Sequence, residues 1–414
     1  MKVIDKQEPG YLHTKNVVYL FGAFAVISFI YALSTRSYNG DFIDRRASLG
    51  VVLMVINLIL TLLPLFLLWK AYLFFKKRET SHVVPIPLKI FEYFVFVLLI
   101  LNLVVTIAFG VGKAATEFYE APALIKPFIQ ILNRLDFVYI SLLFILLSTN
   151  RTAIYRTTIL IIVISILKAS IGIFLFVFLV FGLKYFAEIR EYMRTRKKVL
   201  VVVLFIFPFF IQSLYEIRDQ IRQDDKFQQQ FSVPKFFFGK LTGRLSSFSN
   251  SAIIIQEALY FSVKAKSLED YYFQKQAIGG VLGANFLPHE RPEFIMIQIL
   301  DGSPNKRVAF MCGTQGNLMI AALKSFKILT INILTIGFLV LLTFWLIRLL
   351  GFKYATEFAV ILLIYPLTSG VANEFSMVAF SSLFLVILFL LINAGIASTT
   401  SLMKTPSTQD QTTC

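Results

Sequence analysis

The chain has 414 residues, of which 57% are hydrophobic and 15% charged, with 44 Phe, 17 Tyr and a mean hydropathy of +0.74. Soluble domains carry roughly 45–50% apolar and about 25% charged residues, so this composition excludes a water-facing fold, and disordered, collagen-like or disulfide-stapled classes with it. The net charge of +16 points first to cytoplasmic loops held beside anionic lipid and carries no specific indication of nucleic acid.

In chain order, Met1 to Lys15 is polar and has no small-residue cleavage site, so the first apolar run is expected to be a retained anchor. A membrane helix needs about 20 mostly apolar residues. Candidate spans fall at 17–33, 48–70, 88–110 and 128–149. The stretch 153–186 would be about 51 Å long as one helix at 1.5 Å per residue, too long for a hydrocarbon core of about 30 Å. Lys168, followed by Ala-Ser-Ile-Gly, divides it into 153–167 and 169–186, with Lys168 expected at the outer surface. Further spans follow at 199–214, 325–349, 355–372 and 377–396. With the N-terminus inside, the short inner segments hold 18 Lys and Arg and the short outer ones 7, the asymmetry of the positive-inside rule. A single span at 153–186 would place either Arg190 to Lys198 or Lys76-Lys77-Arg78 outside. The expected fold is therefore an all-α polytopic membrane protein with about ten transmembrane helices and both termini cytoplasmic. A bundle of about seven spans (1–214) precedes one large, mostly helical periplasmic loop (215–323). About three spans (324–396) and a cytoplasmic tail (397–414) follow. Cys312 then lies outside and Cys414 inside, so the two cannot pair.

The loop carries 12 basic and 10 acidic residues, and long loops translocate regardless of charge. Its charges therefore need another explanation. Arg218 and Arg222, four apart on a helix continuing from the seventh span, share a face. They are placed either to grip a diphosphate through forked hydrogen bonds or to anchor the helix on lipid phosphates, Asp219 and Asp225. In Phe236-Phe237-Phe238-Gly239-Lys240-Leu241-Thr242-Gly243-Arg244-Leu245-Ser246, an aromatic triplet precedes a glycine-punctuated basic turn. There Arg244 and Ser246 can hold an anion or serve the packing of the turn. His289-Glu290-Arg291-Pro292-Glu293 follows the glycines Gly279, Gly280 and Gly283, read as a flexible stretch. His289 or Glu290 can act there as a general base with Arg291 stabilising negative charge; the alternative is a solvated charged turn. Ser251 to Lys266 has a helical apolar pattern that suggests local packing. No metal-binding, nucleophile-elbow or calcium-loop motif is present. Equal halves of matching hydropathy are also missing, and the spans hold almost no carboxylates, which disfavours an ion-coupled transporter.

Ten spans in a Phe/Leu/Ile-rich chain of this length, with one large outer loop late in the sequence, resemble the O-antigen (oligosaccharide repeat-unit) polymerases of the Wzy type. Locally the resemblance rests on Gly243-Arg244-Leu245-Ser246, Asn150-Arg151-Thr152 and Gly313-Thr314-Gln315-Gly316-Asn317. It implies a C-type glycosyltransferase-like fold, no cofactor or metal, and undecaprenyl-diphosphate-linked oligosaccharide as substrate. It also implies membrane lipids, and a chain-length regulator protein, as partners. A hydroxyl of one lipid-linked repeat would attack the anomeric carbon of the growing chain. Arg218, Arg222, Arg244 and Arg291 would meet the leaving diphosphate and His289 or Glu290 would take the proton. A lipid-linked oligosaccharide flippase or other transporter, and an O-antigen ligase, are the rival expectations.

Overall fold

The computed structural model describes residues 4–43, 45–78, 83–112, 121–170, 172–222, 233, 235–301 and 312–402. Among these residues the chain is all-helical, with one isolated bridge between Ser37 and Arg46 and no strand. The first half runs α1 (Pro9–Thr35), α2 (Val51–Lys76), α3 (Leu88–Phe109), α4 (Lys126–Arg134), α5 (Phe137–Leu147), α6 (Arg151–Leu167), α7 (Gly172–Lys184), α8 (Phe186–Thr195) and α9 (Lys197–Arg222). A π-helical turn, Lys235–Leu241, leads into five short helices: α10 (Thr242–Ser246), α11 (Phe248–Gln256), α12 (Ala258–Ala265), α13 (Tyr272–Leu282) and α14 (Pro292–Asp301). The chain closes with α15 (Thr314–Lys324), α16 (Phe326–Leu349), α17 (Ala355–Ser369) and α18 (Ala372–Leu402).

Five helices (α1, α2, α3, α16 and residues Ala372–Ile396 of α18) are long and apolar enough to cross a membrane. The count rises to seven if the bent pairs α4–α5 (51°) and α7–α8 (84°) each form one span. Which way the side chains face supports a lipid surround. On α2 the buried face carries Asn57, Thr61 and Tyr72 between Met54, Leu65 and Leu68, whereas Val52, Ile59, Phe66 and Leu67 point outward. On α16 Asn332 and Thr343 are buried, and Leu334, Phe338 and Trp345 are exposed. The more polar face is turned inward, the reverse of a water-soluble helix. Leaving these large apolar side chains in water would cost about 1.5–3 kcal/mol each. This is a polytopic membrane protein.

Every one of the ten apolar stretches expected from sequence falls on helix, and the chain does break between α6 and α7 at Lys168. Lys168 itself, expected at a surface, is buried. The helices of 235–324 do not form a separate body. Phe248, Ile253, Phe261 and Tyr272 belong to the same continuous core as Phe21, Tyr72, Phe91 and Phe358 of the long helices. Gly279 and Gly280, read from sequence as flexible, lie inside α13, where Gly280 packs against Asn373 of α18; the missing side chain permits close helix contact there. The apolar stretch 251–266 breaks at Glu257 into α11, whose Ile253 and Ile254 are buried, and α12, whose Leu259 and Val263 are exposed.

The loop helices dock on one end of the bundle, reached by the C-terminus of α1, the N-terminus of α2 and the turn between α17 and α18. Hydroxyls of Ser28 and Ser246 lie 2.9 Å apart, and Asn57 Nδ2 donates to the Phe248 carbonyl at 3.0 Å. The last carbonyls of α17 are each claimed from the loop side. Thr368 O accepts from the Ser247 hydroxyl, Ser369 O from the Gly313 N–H (2.8 Å), and Gly370 O from Asn317 Nδ2 (2.6 Å). This contact is so close that a Cβ on Gly370 (φ +72°) would lie 2.2 Å from the Gly313 carbonyl carbon. At the opposite end Lys76 bridges Glu357 (2.6 Å) and Glu8 (2.9 Å), and Tyr72 donates to Glu357 at 3.1 Å. This ties the N-terminal segment to α2 and α17. Overpacking and a left-handed backbone together predict that Gly370→Ala destabilises the protein by about 1–3 kcal/mol. Gly337→Ala, with nothing within 4 Å of the added carbon, should leave stability unchanged. Melting of the detergent-purified variants checks this, and equal Tm values would refute the contact.

Candidate functional site

Three helix breaks meet at the loop-side end. The first is the bend between α4 and α5, where Asp136 caps α5: its Oδ1 accepts from the N–H groups of Val138 and Tyr139, both at 3.0 Å. The second lies between α6 and α7, where Ala169 adopts a left-handed φ of +51°. The third is the turn from α17 to α18, made by Gly370. Pro366, inside α17, lacks the N–H that would bond the Leu362 carbonyl one turn earlier. With Asn102 of α3, these breaks enclose a cavity of about 280 Å³ whose lining includes Asp136, Lys168, Ser170, Tyr365 and Glu374, and the rings of Phe137 and Phe176.

Lys168 is buried, its Nζ 3.4 Å from Asn102 Oδ1 and 4.5 Å from the centre of the Phe137 ring, within electrostatic reach of Asp136. Asp136 is further fixed through its backbone N–H, which donates to Ser381 Oγ of α18 at 3.0 Å. Glu374, in the first turn of α18, accepts from the Ser369 hydroxyl through Oε2. Asp136 and Glu374 therefore present two carboxylates to one space, with a single ammonium beside the first. Aromatic rings supply apolar faces between them. The rest of the lining is mostly apolar, and an apolar pocket with a few placed polar groups suits a ligand that offers both apolar faces and hydroxyl or amide groups.

The expected arginines distribute around this space. Arg244 pairs with Asp41 of the α1–α2 connection through Nε and Nη2, and its guanidinium carbon lies 5.9 Å from the centre of the Tyr215 ring. Burial opposes its charge, but Asp41 and the Tyr215 hydroxyl outweigh burial and hold Arg244 above the usual guanidinium range. Tyr365, which lines the cavity, feels both Glu374 and Arg244, so the Arg244–Asp41 pair lies within electrostatic reach of that wall without lining the cavity itself. Arg291 sits over the Phe294 ring at 4.6 Å, with its Nε buried and unbonded. Burial lowers its pKa, partly offset by Glu293. Glu293, two residues on, is fully buried and accepts from Gln276 Nε2 at 3.0 Å. Burial pushes its pKa up against the pull of Gln276 and Arg291, and its charge reaches Glu374. His289 is exposed on a turn, its backbone N–H donating to Glu269 Oε1 at 3.0 Å, and neither it nor the half-buried Glu290 lines the cavity. Arg218 and Arg222 do lie on the helix that continues α9, but their side chains, like Asp225 and Cys414, are outside the described residues. Cys312 is a buried free thiol. Among the described residues no three His, Cys, Asp or Glu side chains group as metal ligands.

Sequence reasoning missed Asp136, Lys168, Tyr365 and Glu374 as partners. A signal existed for two of them: Asp136 stands at an N-cap position before an apolar run, and Lys168 interrupts one. Ionisable residues at such places are functional candidates by default. Comparison of the chain with family models, with curated proteins and with solved structures returns no match. The Arg244–Asp41 geometry generates a measurable expectation. Asp41→Ala leaves a largely buried guanidinium without its carboxylate, costing about 3 kcal/mol. Asp41→Ala with Arg244→Met should cost clearly less than the two single losses added together. Unfolding titrations in detergent measure the cycle, and additive losses would show that the pair is not coupled.

Proposed function

We propose that the chain is a membrane glycosyltransferase of the O-antigen polymerase type, joining undecaprenyl-diphosphate-linked oligosaccharide repeat units in the bacterial inner membrane. In this reading ten spans cross the bilayer: α1, α2, α3, the α4–α5 pair, α6, α7, α9, α16, α17 and α18. Both termini are cytoplasmic, and residues 215–323 cover the periplasmic end. The observation that carries the reading is the cavity between the broken helices, with its two carboxylates, ammonium and aromatic faces, and with Arg244 in electrostatic reach of Tyr365 on its wall. Glycosyl transfer from a lipid diphosphate needs a pocket for hydroxyl-rich sugar, a cation for the leaving diphosphate and a group to take the attacking hydroxyl's proton. Arg244 supplies the cation, with Arg218, Arg222 and Arg291 as further diphosphate ligands. Diphosphate is already a good leaving group, and arginine forks match its oxygens, so the transfer needs no cofactor. The basic segments Lys76-Lys77-Arg78 and Arg194 to Lys198 lie on connections at the opposite end, as the positive-inside rule asks of this orientation.

A transporter of lipid-linked oligosaccharide is the second reading, favoured by one specific observation. Discontinuous helices meeting around buried ionisable groups are also how secondary transporters build substrate sites. An O-antigen ligase would use the same donor chemistry with a different acceptor. Deleting the gene separates the polymerase from the other two. Loss of a polymerase leaves lipopolysaccharide capped with a single repeat unit, whereas loss of a transporter or ligase leaves none. An undiminished ladder of chain lengths in the deletion strain would sink all three. Complementation with Arg244→Ala or Arg291→Ala, at normal membrane levels, is expected to abolish polymer. Ladder lengths retained in either variant would remove that arginine from the site.

A further inference from the structure

Two carboxylates face the cavity, but they are not equivalent. Asp136 has one oxygen committed to two backbone N–H groups at the start of α5, and it has Lys168 as counter-ion. It is the cap of a buried helix, and moving a proton on and off it would loosen that helix end. Glu374 is held at Oε2 by a single neutral donor, the Ser369 hydroxyl, and no described residue bonds its Oε1. Its side chain is not sealed in: it lies deep in the fold yet keeps accessible surface, which faces the cavity. Asn102, itself buried, and Lys168 line the same cavity; Lys168 Nζ lies 3.4 Å from Asn102 Oδ1, and Asn102 Nδ2 donates to the Leu98 carbonyl at 3.0 Å. The rings of Phe137, Phe176 and Tyr365 complete the wall. Carboxylate and amide groups that accept and donate to hydroxyls, set between aromatic faces that cover C–H surfaces, are the chemistry of a sugar subsite.

We propose that this cavity is the acceptor-sugar subsite and that Glu374 Oε1 is the proton acceptor for the attacking hydroxyl. The proposal rests on the polymerase reading above. The acceptor oxygen forms a bond to the anomeric carbon of the donor chain, and the bond from that carbon to the diphosphate oxygen breaks. Its electron pair leaves on the diphosphate beside Arg244, and the hydroxyl proton passes to Glu374 Oε1, from which it returns to water. Ser369 positions the carboxylate by fixing Oε2, and Asp136 with Lys168 and Asn102 holds the sugar hydroxyls on the far wall. The exposed His289 and the half-buried Glu290, neither of which lines the cavity, take no part in the transfer.

The test uses full-length protein in proteoliposomes and, as substrate, the lipid-linked repeat-unit fraction extracted from a strain lacking the gene. Wild type should lengthen the chains and release polyprenyl diphosphate. Glu374→Gln, which keeps size and removes the base, should lower kcat about 10²- to 10⁴-fold with KM unchanged, and His289→Ala should act like wild type. Glu374→Ala should recover turnover when formate is supplied, which a merely structural loss would not do; it carries the test if Glu374→Gln is not recovered as folded protein. Wild-type kcat in Glu374→Gln, or no rescue by formate, overturns the assignment of Glu374 while leaving the polymerase reading intact. No chain extension by the wild-type protein overturns the underlying reading itself.

Discussion

The structure turns on α5, an eleven-residue helix buried on every side. At 1.5 Å per residue it is about 16 Å long, roughly half a hydrocarbon core, so it cannot cross alone, and its N-terminal end, at the bend from α4, is enclosed by the bundle. A helix end there leaves backbone N–H or C=O groups bare, at a cost of several kcal/mol for each one unsatisfied. The chain answers with opposite charges at the two ends. Asp136 accepts from the first amides, and Lys184 Nζ donates to the carbonyls of Ile145 (2.7 Å), Leu146 (3.1 Å) and Ser148. Both charges also oppose the helix dipole in the favourable sense. A carboxylate fixed at that depth needs a counter-ion, and the neighbouring break supplies Lys168. The polar cavity is thus a consequence of ending helices inside the bundle.

The same requirement explains why the segment 235–324 penetrates the bundle. Helix α17 is interrupted by Pro366 and stopped by Gly370, so its last carbonyls point away from their own helix. Ser247, the Gly313 amide and Asn317 supply the missing donors. The small residues around them, Ser246, Ser247, Ser249, Asn250 and Ser251, are buried and polar, and this stretch bonds to Asn39, Asn57 and Gln315. Hydroxyls and amides of this kind hold helices together in membranes, where apolar contact alone gives little advantage. The segment therefore completes the loop-side ends of α1, α2 and α17, and this is why one core runs through both parts of the chain.

Hydropathy alone located ten helical stretches, because a membrane helix is apolar on both faces and its length is set by the bilayer. The break at Lys168 was legible for the same reason: one run was simply too long. The cavity was not legible. Its walls come from α3, α5, the α6–α7 turn, α17 and α18, whose polar residues are isolated in sequence and meet only through packing. In sequence Asp136 falls inside the apolar stretch 128–149, and Glu374 falls between the stretches 355–372 and 377–396. The glycines of α13 misled for a different reason. Absent side chains permit either a loose loop or a tight helix contact, and Asn373 across the interface decides for the second. In His289 to Glu293 the cluster was legible but its burial was not: the terminal glutamate is enclosed while the histidine stays outside.

Lys168, which lines the cavity, and Arg244, in electrostatic reach of its Tyr365 wall, each come with a carboxylate, Asp136 and Asp41. An anion reaching Arg244 must therefore share it with Asp41. A guanidinium has five N–H donors, and Asp41 engages those on one edge, Nε and Nη2, leaving donors on the other side of the fork. A carboxylate on one edge fixes the plane of the fork, so that the remaining donors are already aimed when an anion arrives and little reorganisation remains. Removing Asp41 would leave a stronger but less directed positive charge. The paired state trades raw attraction for geometry, which would suit the proposed transferase, whose leaving diphosphate has to be released after each transfer.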